Sequence, residues 1–115
     1  MIFLSASKKI YYDMEKISDT YEKKVDMFIK SLENNISAGN SLVLQMLQTT
    51  IQFELHYLYL WTAHMDEIIS LVENTYKSKD DILLPEDAEK GIATCQKEIG
   101  KCVSSMDALM NTVKN

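Results

Sequence analysis

The chain has 115 residues, with 12 Lys, 17 Asp+Glu and a formal net charge of -5. Its length predicts one small domain, and three Gly with one Pro exclude a turn-rich β-sandwich or barrel, which needs a turn signal about every 8–12 residues. All the basic residues are Lys, and an acidic chain without Arg lacks the clustered cations and bidentate forks that read phosphates and base edges, so no nucleic-acid partner is expected.

The opening stretch Met1–Ser7 has a short apolar run with no basic residue before it. It falls short of a secretory core of 7–15 apolar residues, so a cytoplasmic protein is the expectation, with export by a signal-less route left open. The acidity is uneven: net charge is 0 over residues 1–33, -4 over 34–76 and -1 over 77–115.

The first predicted helix covers about 7–35. Ile10, Met14, Ile17, Tyr21, Val25, Phe28 and Leu32 recur at steps of three and four, a single apolar stripe at helical period. Six Lys and six acids on the rest of its surface cancel, which describes a solvated face. Asn34 to Asn40 then form a polar break, with Gly39 suited to a left-handed C′ position and Asn40 or Ser41 to an N-cap. So short a connection predicts an antiparallel return.

The second predicted helix covers about 41–76. Residues 34–53 carry no charge, and from 34 to 76 the charged residues are Glu54, Asp66, Glu67 and Glu73. One stripe runs Leu44, Leu47, Ile51, Leu55, Leu58, Thr62, Met65, Ile69, Val72, Tyr76; Val43, Met46, Phe53, Tyr57, Leu60 and Trp61 form another. A helix apolar nearly all round belongs in the middle of something. Gln45, Gln48, Gln52, Glu54, His56 and His64 interrupt it too often for a membrane span.

Residues 78–81 are polar, and Ile82-Leu83-Leu84 leads into a third predicted helix over about 85–113, with Pro85 at N1 and Glu86, Asp87 and Glu89 in the first turn. Ile92, Cys95, Ile99, Cys102, Met106, Leu109 and Val113 alternate steps of three and four, a heptad seam. Gly91 and Gly100 lie within it and cost about 1 kcal/mol each relative to Ala, which close approach of a neighbouring helix would explain.

Candidate chemistry is sparse. Cys95 and Cys102 stand one heptad apart, about 10.5 Å along a helix, too far for a disulfide with each other, so both read as buried thiols; a bridge between two copies is the alternative. A carboxylate-bridged metal bundle needs Glu-x-x-His, but Phe53 precedes His56 by three and Trp61 precedes His64 by three. His64 and Glu67 share a face, a two-ligand start at most. No phosphate loop, zinc motif or nucleophile elbow is present. No enzymatic activity, cofactor, metal or small-molecule substrate is expected.

The aromatic row Phe53, Tyr57, Trp61 follows an i, i+4 spacing, with Met46 and Leu60 beside it. Either the two flanking helices cover both stripes, or this row docks another chain. Asp66, Glu67 and Glu73 form a candidate acidic surface.

The stretch Gly39-Asn40-Ser41-Leu42-Val43-Leu44-Gln45-Met46-Leu47-Gln48 through Val72-Glu73 resembles the helical segment of needle and inner-rod subunits of type III secretion systems: an Asn-rich turn, then a Leu/Gln-rich helix with spaced aromatics. The likeness covers about a third of the chain, and the long third helix departs from the short needle pattern. It implies a small helical hairpin that polymerises or is held by a partner. Size, charge and helicity also parallel small acidic immunity proteins that meet a basic toxin.

The expected fold is therefore a single all-α domain, 1–115: an elongated antiparallel bundle of three long helices with coiled-coil-like packing, or four if the second helix kinks or residues 82–84 pack as a turn. The expected function is a non-enzymatic interaction protein, as an assembly subunit or chaperone-type binder. An acidic inhibitor and a carboxylate/His metal bundle are the alternatives. The expected partner is a protein or a second copy.

Overall fold

The computed structural model describes residues 1–35, 41–77 and 80–113, which form α1 (Leu4–Asn35), α2 (Ser41–Tyr76) and α3 (Glu86–Asn111). The domain is a rod of 60 × 20 × 19 Å, as expected when the longest helix alone spans about 54 Å at 1.5 Å per residue. The second helix is unbroken, and no fourth helix is present among the described residues. The turn expected around Gly39 and Asn40 lies outside the described residues.

α2 packs along both other helices, whereas α1 and α3 touch little. The register follows from particular contacts. Ser18 meets Thr62 and Lys8 pairs with Glu73, so α1 and α2 are antiparallel. Gly91 faces Ile68, and Cys102 faces Glu54, so α2 and α3 are antiparallel too. α1 and α3 consequently run parallel, joined where the Tyr21 hydroxyl donates to the Asp107 carboxylate at 2.9 and 3.0 Å.

The core is the set of stripes read from the sequence. Ile51, Leu58 and Met65 of α2 and Ile92, Cys95 and Met106 of α3 are fully buried, with Tyr21, Val25 and Leu32 closing it from α1. Three positions depart from the predicted stripes, the first being Val113, which is exposed because α3 ends at Asn111, two residues short of the predicted end. In α3, burial passes from Met106 to Met110, and Leu109 is only partly buried, because a straight helix drifts about 20° per heptad against a strict seven-residue repeat. Tyr76 is exposed at the end of α2, beyond the reach of the buried face.

α1 begins at Leu4, three residues earlier than expected. Its first turn contains no acid, and Asp81 supplies one from the α2–α3 connection. The Ser5 backbone N–H donates to Asp81 Oδ1 at 3.0 Å, and the Ser5 hydroxyl donates to Oδ2. One carboxylate thus satisfies a free helical N–H and places negative charge at the positive end of the dipole. These hydrogen bonds, with a smaller contribution from Lys8, hold the Asp81 carboxyl below its ordinary range. Beside it, Leu4 N–H donates to the Ile82 carbonyl at 2.7 Å and Leu84 N–H to the Ile2 carbonyl at 2.8 Å, an antiparallel bridge between Phe3 and Leu83. Residues 82–84 are therefore extended rather than a helical turn.

Pro85 occupies the N-cap of α3 with φ -55 and ψ 149, one position before the N1 site expected for it. Its extended ψ turns the chain out of the bridge and into the helix, and Glu86, Asp87 and Glu89 occupy the first turn. At the end of α2, Lys77 adopts a left-handed conformation (φ 44), and its N–H closes on the Glu73 carbonyl at 3.1 Å. The two glycines of α3 differ. A Cβ on Gly91 would meet Ile68 Cδ1 at 2.8 Å, the close approach expected; at Gly100 the space is open, so helix approach does not account for it.

Candidate functional site

The flanking helices cover one side of α2 and no more. Polar contacts fix which side. Thr62 is 6% exposed and donates to the Leu58 carbonyl at 2.8 Å, which uses its single hydroxyl hydrogen; Ser18 Oγ, 3.1 Å away and equally enclosed, therefore donates to Thr62 Oγ1. Tyr59 leans onto α1, where burial first and then a hydrogen bond to Glu22 push its hydroxyl up to about 12. Burial, with the carboxylates of Glu15 and Asp66, likewise raises Tyr11. On the other flank, Cys102 of α3 meets Glu54 of α2, and burial followed by that carboxylate pushes the thiol up to about 11. Burial also raises the Cys95 thiol.

With those flanks engaged, the remaining face of α2 points outward. Val43, Met46, Phe53, Tyr57, Leu60 and Leu71 are 50–68% exposed. Together with Thr50, His64 and Glu67 they fall at positions 43, 46, 50, 53, 57, 60, 64, 67 and 71, steps of three and four without a break. That is a complete a/d seam with no partner helix within the chain. A recess between Thr49, Gln52, Phe53 and His56 lies on it, four residues at the spacing that forms a hole for a knob from a facing helix.

The predicted row is thus divided. Phe53, Tyr57, Met46 and Leu60 lie on the open seam, while Trp61 is half-buried, packed against the core with its ring edge-on to His64 at 6.0 Å between centroids. Trp61 follows Tyr57 by four residues, and that extra step rotates it toward α3. Leu71 extends the seam by about three turns beyond the predicted row; its three-and-four spacing from Leu60 through His64 and Glu67 was the signal.

Asp66, Glu67 and Glu73 do not come together as one acidic patch. Asp66 and Glu73 stand one heptad apart on the α1 side, near Tyr11 and paired with Lys8 respectively. Glu67 lies on the open seam with His64 Nδ1 3.7 Å from its carboxylate. Among the described residues no three His, Cys, Asp or Glu side chains are close enough to hold a metal ion. Both Cys95 and Cys102 are free and buried in the interior, so neither is placed for a disulfide between copies. No described helix is long and apolar enough to cross a membrane.

Comparison with protein families, with curated proteins and with solved structures finds no match.

Proposed function

We propose that this chain is a non-enzymatic helical interaction protein, an assembly subunit or chaperone-type binder, that docks a protein along the outward face of α2. One observation carries the reading: an a/d seam continuous from Val43 to Leu71 with its large apolar side chains in solvent. The large side chains of this seam present on the order of 700 Å² to solvent, most of it in the run from Val43 to Leu60, and exposed apolar area on this scale marks interaction surfaces. Nothing in the internal packing requires them; the core is complete without this face. The charge-free course from residue 34 to 53 adds to the support, since a docking core excludes charge.

A photo-crosslinking residue in place of Tyr57, introduced in the producing cell, tests the reading. An adduct from position 57, absent when the same residue replaces Lys23 on the solvated face of α1, is the expected result. No adduct from position 57 at any expression level refutes a docking role. The mass of the adduct tells a second copy from another protein.

A further inference from the structure

We infer that the occupant of the α2 seam is a second copy of this chain, laid antiparallel across it with the two-fold axis between Tyr57 and Leu60. The inference rests on the docking role proposed for α2 and adds the partner's identity and direction.

Three features select this occupant. The first is area. The side chains in solvent on the seam present on the order of 700 Å², close to the roughly 800 Å² per partner of a stable interface, and the recess beside Phe53 offers a hole to a facing helix.

The second is charge. The N-terminal half of the seam carries no Lys, His, Asp or Glu, whereas His64 and Glu67 occupy its C-terminal half. Parallel pairing would set Glu67 against the partner's Glu67 and His64 against the partner's His64. Antiparallel pairing lays the half that carries His64 and Glu67 over the partner's uncharged half, so no like charges meet.

The third is register. α2 runs Ser41–Tyr76, so its midpoint falls between residues 58 and 59. An axis between Tyr57 and Leu60 overlaps the two helices along their full length. It packs Tyr57 on the partner's Leu60, Phe53 on the partner's His64 and Met46 on the partner's Leu71. It also sets an uncharged residue, Thr50, rather than a second carboxylate against the partner's Glu67. The seam satisfies itself, as an isologous interface must.

Sedimentation equilibrium and cysteine crosslinking test this. The wild-type chain is expected at twice its 13.2 kDa mass, and Leu60→Lys, which changes a solvent-facing residue, at the single mass with unchanged helical signal. Phe53→Glu serves as a second disrupting variant should Leu60→Lys lose helicity. On mild oxidation, Met46→Cys mixed with Leu71→Cys is expected to give a crosslinked dimer, and neither variant alone. A monomer at 100-fold the crosslinking concentration overturns the inference, as does crosslinking of Met46→Cys with itself, which reports parallel helices. A monomeric chain that still gives a heterologous adduct from position 57 overturns the second copy while leaving the docking role intact. A chain with neither adduct nor dimer overturns both.

Discussion

Leu58 and Leu60 are two residues apart on α2, one with no exposure and the other 50% exposed, and truncating each to Ala separates the core from the open seam. Leu58→Ala removes three buried carbons; at about 0.8 kcal/mol each the transfer loss is about 2.4 kcal/mol. The cavity left among Ile51, Met65 and the α3 seam raises this to about 3–4 kcal/mol. For a domain of this length 1 kcal/mol moves Tm by about 4 °C, so a fall of about 12–16 °C is expected. Leu60→Ala takes away a side chain already half in water, and for the separated chain the loss is within about 0.5 kcal/mol, or about 2 °C. Thermal denaturation by circular dichroism, repeated over a hundredfold range of protein concentration, is the assay. In the dilute limit only Leu58→Ala shifts the transition appreciably; as concentration rises, the wild-type Tm climbs and that of Leu60→Ala climbs less, because association stabilises the folded state by mass action. Equal losses for both variants in the dilute limit would show that the α2 seam is part of the internal core, and the reasoning would fail.

Three further outcomes follow from single residues. The folded Asp81 carboxyl lies below its ordinary value of 3.8, so its stabilising effect is complete above that value and disappears as pH falls through the lower folded one. Wild type should exceed Asp81→Asn in Tm at neutral pH, with the gap closing below 3.8; a gap that persists at the acid limit refutes the capping role. Gly100→Ala, facing open space, is expected to stabilise by about 1 kcal/mol, or about 4 °C. Gly91→Ala should gain less, since its new methyl displaces Ile68, and the reverse order in a thermal melt would contradict the packing. The buried thiols, with Cys102 pushed up to about 11, should resist a disulfide-exchange reagent at pH 8 in the native protein and both react in denaturant; rapid native labelling of either would show that α3 is not seated as described.

The helices and most of the core were legible because apolar spacing at three and four residues is a local signal. Ile51, Leu58, Ile92 and Met106 were placed correctly by period alone. What escaped was non-local. The start of α1 depends on a carboxylate 76 positions away, and the bridge of Phe3 with Leu83 pairs segments whose own composition marks neither as a strand. The drift from Leu109 to Met110 is a property of a straight helix that a counted heptad conceals. The outward row was visible as a second stripe, but whether a helix covered it depended on where Tyr59 and Trp61 would lean. Ser18 and Thr62 show the limit from the other direction: two hydroxyls fit the interior because each completes the other.

The clasp of residues 2–4 on residues 81–84 also bears on the order in which the molecule can be completed. A ribosome delivers α1 first, yet the carboxylate that caps it and the segment that pairs with its entry emerge only after all of α2. Until then the first helix lacks a finished end, while its stripe already has α2 to lie on. α1 and α2, which lie closest in sequence, can pair before their clasp exists, and α3, which shares the more extensive contact with α2, seats last and brings the clasp with it. During that interval the nascent chain displays two apolar faces of α2, the outward seam and the face that α3 later covers, instead of one.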